Sequence, residues 1–245
     1  MYVNASQTLK GNLKMRKLLL AILVTAGFIT AASAQVSGNF GLTTDYRFRG
    51  ISQTQNAPAV QGGIDYAHKS GLYVGNWNSS VTSQVYTHGA GIESDVYAGV
   101  KKNLAGFTVD AGVYKYMYPR ATGFDTQELY LGVSRGAVGV KVSDTTGNYF
   151  GTANSKHTRY YQVDLAQPVG GMTLVAHAGR TEVANHGALN YNDASVGLTR
   201  PLAGMELAAR YHVNRSHVKA WTAANTVGGQ QLGKDAVVVS LGKSF

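Results

Sequence analysis

Hydrophobic and polar residues alternate along residues 36–49, VSGNFGLTTDYRFR. One parity carries Val36, Phe40, Leu42, Tyr46 and Phe48, and the other carries Ser37, Asn39, Thr43, Asp45, Arg47 and Arg49. Because successive side chains of a strand point to opposite faces, this pattern predicts one apolar face and one charged face. The stretch is long for a strand of a soluble domain. It is typical of a strand that crosses a membrane in a β-barrel, with lipid on one side and a polar interior on the other.

The same period continues along the rest of the chain, with no helical stretch between the segments. The pattern predicts twelve strands, at residues 36–49, 58–68, 71–82, 92–103, 106–118, 126–135, 137–144, 158–167, 171–181, 191–200, 203–213 and 234–245. Tight turns alternate with longer polar connections, as in an up-and-down antiparallel barrel with short periplasmic turns and long outer loops. A soluble β-sandwich shares the alternation of residues but has no reason to alternate its connections.

The composition agrees with this reading. Charged residues make up 14% of the chain, which contains 30 Gly, 15 Tyr and no Cys. Apolar runs of about 20 residues, which a helical membrane protein requires, do not occur. Without cysteine, a disulfide framework, a thiolate metal site and a cysteine nucleophile are all excluded.

The first 34 residues have the features of a cleavable signal peptide. Met15, Arg16 and Lys17 form a short basic region, an apolar segment follows at residues 18–29, and residues 32–34 read Ala-Ser-Ala. We therefore expect a true start at Met15, a signal peptide over 1–34 and a mature barrel domain over 35–245. The last residue, Phe245, closes an amphipathic strand and is expected to act as an assembly signal for the barrel-assembly machinery.

Residues 36–77 resemble the opening of the TorF family of porins from proteobacterial outer membranes. The most specific part is TTDYRFRGISQ at 43–53, followed by PAVQGG at 58–63 and DYAH at 65–68. Shorter similarities occur at 95–99, 116–119, 128–130 and 243–245, so that the resemblance extends over the mature chain. It implies an outer-membrane β-barrel, and it supports the fold and the location more than it supports transport.

Charged residues on the polar parity of the strands are the candidate pore-lining groups. They are Asp45, Arg47, Arg49, Asp65, Glu93, Asp95, Asp110, Glu128, Lys141, Asp164, Glu206 and Arg210. One reading is a charged constriction that selects solutes. The other is a network of interior ion pairs that holds facing strands together, because unpaired charge in a dry interior is costly. The two readings are compatible with each other.

Most aromatic residues lie near predicted strand ends, where they are expected to form an interfacial girdle. A sugar-binding path along the interior is the alternative for these side chains, which are Tyr73, Trp77, Tyr114, Tyr116, Tyr118, Tyr160, Tyr161 and Tyr191. The seven histidines show no metal-ligand spacing, and no serine lies in a hydrolase motif. No cofactor, catalytic residue or nucleic-acid partner is expected.

The sequence therefore predicts a porin-like channel in the cell outer membrane. Small hydrophilic solutes would diffuse through its lumen, and outer-membrane lipid would surround it. The alternative is a non-conducting barrel with a structural, adhesive or receptor role, carried by long outer loops such as residues 214–233.

Overall fold

A computed structural model describes residues 35–84, 89–216 and 218–245. The predicted signal peptide and the expected start at Met15 lie outside the described residues. Of the described helices, none is both long enough and apolar enough to cross a membrane.

Twelve antiparallel strands form a closed barrel in which each strand pairs with its neighbours in the sequence, and the last pairs with the first. The strands are β1 Gln35–Thr43, β2 Ala59–Ala67, β3 Leu72–Ser80, β4 Ile92–Leu104, β5 Phe107–Met117, β6 Thr126–Arg135, β7 Val138–Thr145, β8 Arg159–Val169, β9 Met172–Glu182, β10 Tyr191–Leu202, β11 Met205–Arg215 and β12 Ala236–Ser244. This arrangement confirms the predicted all-β, up-and-down barrel.

Pairing between β1 and β12 closes the barrel. Thr43 lies opposite Ser240, and Asn39 lies opposite Ser244. Beyond the end of β12, the Phe245 backbone exchanges two hydrogen bonds with Gly38, of 2.8 and 3.0 Å. The last strand therefore pairs with the first over residues 39–43 and 240–244, and the Gly38–Phe245 bonds extend this seam.

Short turns and long connections alternate around the barrel. The turns at one end include two-residue hairpins such as Ala105-Gly106 and Ala203-Gly204, in which both residues have positive φ. This conformation matches the twist of paired strands and favours glycine at the second position. The connections at the opposite end are longer and include a six-residue helix, α1 Lys219–Ala224.

Apolar side chains cover the outside of the barrel. The exposed large hydrophobic residues include Phe40, Leu42, Val60, Ile64, Leu72, Val96, Leu129, Leu131, Val140, Val163, Val196, Leu198 and Val237. Polar residues from the alternate positions are buried inside. The outer surface therefore has the apolar belt of a barrel that lies in a lipid bilayer.

The predicted first strand, 36–49, is wrong in its second half. The strand β1 ends at Thr43, and the chain then turns into the barrel over residues 44–58, which we call the inner loop. Asp45, Arg47 and Phe48 are buried there, although their alternation matches that of a strand. The misreading arose because a short hairpin inside the inner loop has the same period of two as the strand before it.

Candidate functional site

The inner loop contains a small β-hairpin inside the barrel. Its two short strands are Arg47–Phe48 and Ile51–Ser52, with Phe48 paired to Ile51. Arg49 and Gly50 form the turn, with φ values of 48° and 77°. A turn with two positive φ angles is compact and fits a hairpin, but the first angle costs a residue such as arginine about 1–2 kcal/mol. Arg49 therefore lies at the tip of the hairpin in a strained backbone conformation.

The Asp45 carboxylate fixes the shape of the inner loop. It accepts hydrogen bonds from Arg47 Nε at 2.6 Å, from Ser52 Oγ at 2.6 Å and from Thr54 Oγ1 at 3.0 Å. The Tyr46 backbone N–H also donates to Thr54 Oγ1 at 3.1 Å. Because all these groups are buried, the bonds are strengthened by the low local dielectric. Asp45 and Arg47, predicted as separate lining charges, form one ion pair within the loop.

Arg49 reaches the far wall of the barrel from this hairpin. Its Nη2 atom lies 2.7 Å from Glu128 Oε2 on β6, and its guanidinium carbon lies 4.1 Å from the ring centre of Tyr160 on β8. These strands flank β7, which is six strands from β1 in either direction. The side chains of Arg49 and Glu128 are only 6% and 2% exposed. The ion pair therefore spans the interior from one wall to the other.

The glycine of the turn touches a third part of the wall. A Cβ atom added at Gly50 would lie 2.7 Å from Asp193 Cβ on β10 and 2.8 Å from Asn214 Nδ2 on β11. The Asn214 amide also donates to the Arg49 backbone carbonyl at 3.4 Å. Both the conformation and the close approach require glycine at this position.

Aromatic side chains of the inner loop form a hydrophobic core within the barrel. The Tyr46 ring packs edge-on against Trp77 with centres 5.3 Å apart. Phe48 packs in the same way against Tyr116 at 5.3 Å and Phe150 at 5.5 Å. Such edge-to-face pairs stabilise beyond the effect of buried area alone. The end of the barrel that carries the long connections is thus filled on this side by apolar packing.

A second segment covers the hairpin from outside the barrel. This segment is residues 218–235, which we call the outer loop. Its Lys234 carbonyl accepts a hydrogen bond from Arg47 Nη1, and its Leu232 carbonyl accepts one from the Ser52 backbone N–H. The first bond measures 2.7 Å and the second 3.0 Å. Asn56 Nδ2 donates to Gln230 Oε1 at 3.1 Å. The two loops therefore form one assembly.

Tyrosine hydroxyls donate to the carboxylates around the interior wall. The pairs are Tyr97 with Asp65 at 2.6 Å, Tyr46 with Glu93 at 3.2 Å, Tyr114 with Asp95 at 3.0 Å, Tyr73 with Asp110 at 2.6 Å, Tyr116 with Glu128 at 3.3 Å and Tyr160 with Asp193 at 3.1 Å. Tyrosine is thus a partner of all six of these interior acids.

These tyrosines overturn the predicted interfacial girdle for most of the aromatic residues. Their rings lie inside the barrel, and several cover a glycine of the adjacent strand. The pairs are Tyr73 over Gly99, Tyr97 over Gly75, Tyr130 over Gly112 and Tyr160 over Gly179. Tyr161, in contrast, faces outward. The sequence did carry a signal, because Tyr114 and Tyr116 share the parity of Asp110, which the alternation already placed inside.

A second interior network is centred on His177 of β9. Its Nδ1 atom lies 2.7 Å from Asp164 Oδ1, and its Nε2 atom lies 3.0 Å from Asp193 Oδ1. Gln162 Nε2 donates to the other Asp164 oxygen at 2.6 Å. Only a protonated imidazole donates from both nitrogens. His177 was not among the predicted site residues, because the alternation along β9 is poor, and Asp193 on β10 was not predicted either.

The remaining predicted charges occupy the interior wall without joining the inner loop. Lys101, which was not predicted, lies 3.4 Å from Asp110. The Lys141 ammonium lies 5.6 Å from the ring centre of Tyr130. Arg210 extends across Gly197 on the neighbouring strand, and Glu206 shares its face of β11. Of the predicted set, the structure thus places Asp45, Arg47 and Arg49 in the inner loop, joins Arg49 to Glu128 and leaves the others around the wall.

A profile of the family described as "Bacterial protein of unknown function (Gcw_chp)" matches residues 29–245. The chain belongs to this family. The match includes all twelve strands and both loops of the site. No curated protein matches the chain.

Several solved structures are similar to this chain. The KdgM porin is similar over 85% of this chain and 98% of its own, with a TM-score of 0.51 and 8% identity. OccK5 (OpdH) of Pseudomonas aeruginosa is similar over 84% and 62%, with a TM-score of 0.41 and 16% identity. Outer membrane phospholipase A from Escherichia coli is similar over 86% and 88%, with a TM-score of 0.44 and 13% identity. At such low identity, the likeness to the KdgM porin shows a shared fold.

Proposed function

We propose that this Gcw_chp protein is an outer-membrane channel for small hydrophilic solutes, and that the inner loop controls passage through its lumen. The observation that carries the proposal is the Arg49–Glu128 ion pair, at the tip of a hairpin inside a closed barrel. A hairpin whose tip is fixed to the wall by an ion pair and a hydrogen bond can move out of the lumen, whereas a continuous wall cannot.

The dimensions of the barrel support this proposal. Eight-stranded barrels are filled by their own side chains, and barrels of 16–18 strands hold an open aqueous channel. Twelve strands leave room for a path that a loop of about fifteen residues can narrow. In such a path, the width and the wall charge decide which solutes pass.

The predicted pore-lining residues take defined roles in this proposal. Arg49 and Glu128 would form the constriction, with Asp45 and Arg47 holding the hairpin in place. The other charges would line the path below and beside it, namely Asp65, Glu93, Asp95, Asp110, Lys141, Asp164 and Arg210. No reaction and no cofactor are part of this mechanism.

The fold and the apolar belt support a location in the outer membrane. We propose export through the signal peptide at 1–34, starting from Met15, and insertion into the outer membrane by the barrel-assembly machinery acting on the strand that ends at Phe245. The resemblance of residues 36–77 to the TorF porins supports the same location.

A non-conducting barrel is the second candidate. The observation in its favour is the apolar packing of Tyr46 and Phe48 inside the barrel, together with the outer loop that covers the hairpin. In that case the outer loop would bear an adhesive or receptor function, and the ion pair would serve stability alone.

Solute uptake by liposomes distinguishes the two candidates. We expect vesicles that contain the purified, folded protein to swell in isotonic solutions of small sugars, at a rate that falls as the sugar becomes larger. Vesicles with heat-denatured protein provide the control. Folded protein that gives no more swelling than this control would favour the non-conducting barrel.

A further inference from the structure

A strip of polar side chains interrupts the apolar outer surface of the barrel. Asn76, Asn78 and Ser80 occupy successive outward-facing positions of β3. Ser94 of β4 lies directly opposite Asn78 and faces the same way. All four side chains are partly exposed, while the alternate residues of both strands point into the barrel.

This strip runs from the end of β3 into the apolar belt. Asn76 is paired laterally with Ile64 on β2 and with Val96 on β4, which are 63% and 41% exposed. Ser80, the last residue of β3, is paired with Ile92 of β4, which is 44% exposed. The polar groups therefore have exposed hydrophobic neighbours on both sides.

Other strands keep this part of their outer face apolar. Outward positions carry Leu129 and Leu131 on β6, Val138 and Val140 on β7, and Val196 and Leu198 on β10. Their charged outward residues lie near the strand ends, as Arg135 and Arg159 do. The polar strip on β3 and β4 is thus a local departure from the rule that the rest of the barrel follows.

The hydrogen bonds of the strip leave part of its capacity unused. Asn78 Nδ2 donates to Asn76 Oδ1 at 2.5 Å, and Asn76 Nδ2 donates to the Asp95 carbonyl at 2.7 Å. Ser80 Oγ accepts from the Val60 N–H at 3.0 Å. A primary amide has two N–H donors and one carbonyl acceptor. Among the described residues, one N–H of each amide and the carbonyl of Asn78 therefore remain for a partner outside the barrel.

Lipid chains cannot satisfy these groups, because hydrocarbon neither donates nor accepts hydrogen bonds. An identical strip on a second barrel can, since an amide both donates and accepts and is complementary to itself. Interfaces between transmembrane helices combine such hydrogen bonds with small residues that permit close approach, and we apply the same reasoning to two barrels. Gly62, opposite Asn78 on β2, supplies the small residue and opens a surface groove of about 390 Å³ between Phe40 and Ile92.

We propose that the outer face of β2–β4 is the interface with a second copy of this chain. A twofold arrangement brings the two polar strips together, so that each Asn78 amide meets its counterpart or the neighbouring Asn76. Apolar residues around the strip remain in contact with lipid or with the partner. The inference concerns the outside of the barrel and holds whether or not the lumen conducts.

Because the native chain contains no cysteine, single-cysteine variants test this interface directly. We expect Asn78→Cys and Ser94→Cys to give a crosslinked dimer when membranes of expressing cells are treated with a short bis-maleimide. Val163→Cys, on the outward face of β8, provides the matched control and should remain monomeric. Heat-modifiable gel migration confirms that each variant is folded.

A second variant measures the contribution of the amides. Asn76→Ala with Asn78→Ala should weaken association by about tenfold or more in detergent sedimentation, because the inter-barrel hydrogen bonds are lost. The proposal would be overturned if the folded Asn78→Cys and Ser94→Cys variants remained monomeric. It would also be overturned if Val163→Cys crosslinked to the same extent. A monomer that carries bound lipopolysaccharide at this face, or a crosslink to a different protein, would likewise overturn the proposal.

Discussion

The Arg49 guanidinium lies 2.7 Å from the Glu128 carboxylate, although the two residues belong to opposite sides of the barrel. The contact exists because the chain leaves β1 at Thr43 and carries a hairpin into the interior. It joins the entering segment to the far wall at a site buried from solvent. The stability of the barrel and the position of the hairpin are therefore coupled through one ion pair.

Removing one partner of this pair should be more costly than removing an exposed pair. We expect Glu128→Gln to lower the free energy of unfolding by about 3–5 kcal/mol, because it leaves a buried guanidinium without its counter-ion. The exposed pair Arg180–Glu182 provides the control, and Glu182→Gln should cost about 0–1 kcal/mol. Denaturant titration of the folded protein in detergent gives both values.

The double variant Arg49→Met with Glu128→Gln completes this test. It removes both charges, so we expect it to recover much of the stability lost in Glu128→Gln. Equal stability losses in Glu128→Gln and Glu182→Gln would show that the pair does not hold the hairpin.

Gly50 is required both for its conformation and for its close approach to the wall. We expect Gly50→Ala to be more destabilising than Gly136→Ala, since only the first places a methyl group against Asp193 and Asn214. Gly136 also has a positive φ, of 59°, but a Cβ atom added there would have no atom beyond its chain neighbours within 4 Å. Backbone strain alone costs about 1–2 kcal/mol, so the excess at Gly50 measures the crowding. Thermal unfolding of both variants tests it, and equal losses would contradict the close contact.

The interior tyrosines depend on glycines beneath their rings. We expect Gly179→Ala to displace the Tyr160 ring, which would weaken both its hydrogen bond to Asp193 and its contact with Arg49. The control is Gly139→Ala, where an added methyl group makes only ordinary contact with Ser134 at 3.5 Å. Overpacking typically costs about 1–3 kcal/mol. Near-UV circular dichroism reports the displaced ring, and an unchanged spectrum with unchanged stability would refute this packing.

Strand positions were predictable because they depend on a local pattern of period two. The alternation of short and long connections then followed from where those strands end. The ends of β6 and β12 lie within two residues of the prediction. The path of residues 44–58 was not predictable from this period, because a hairpin that turns inward keeps the alternation of the strand it follows. Arg49-Gly50 was the available signal, since glycine there marks a two-residue turn. Long-range pairs such as Arg49 with Glu128 depend on tertiary closure, which no local pattern contains.

Acid should loosen the outer loop. Arg215 donates two hydrogen bonds, of 2.5 and 2.7 Å, to the carboxylate of Asp235, and this contact lowers the pKa of Asp235 to about 2. The ordinary aspartate pKa is about 3.9, so the ion pair stabilises the loop fully above that pH and is lost as the pH falls through about 2. Trp221, buried in the outer loop, reports the change.

The measurement uses a Trp77→Phe variant, in which Trp221 is the remaining tryptophan. We expect its emission to shift to longer wavelength as the pH falls from about 4 to about 2. When Asp235→Asn is added to this variant, part of the emission shift should be present already at pH 7. The emission wavelength should then depend less on pH below about 4. An identical titration in both proteins would exclude Asp235 as the responsive group.

Phe245 closes the barrel and is expected to guide its assembly. We expect deletion of Phe245 to reduce the amount of folded protein in the outer membrane, since the Gly38 backbone loses its partner and the terminal aromatic is absent. Val237→Ala changes another outward residue of β12 and serves as control. The fraction of heat-modifiable protein in membranes gives the result, and equal fractions would argue against the signal.

Single-channel conductance of a hairpin-deleted variant shows whether the inner loop limits passage through the lumen. Thr43 and Ala59 face each other in adjacent strands, so a short Gly-Ser linker can replace residues 45–57 without disturbing the barrel. In planar bilayers, the folded variant should give discrete conductance steps several times larger than those of the native protein. Steps of equal size, or a folded variant that does not conduct, would contradict a lumen controlled by the inner loop.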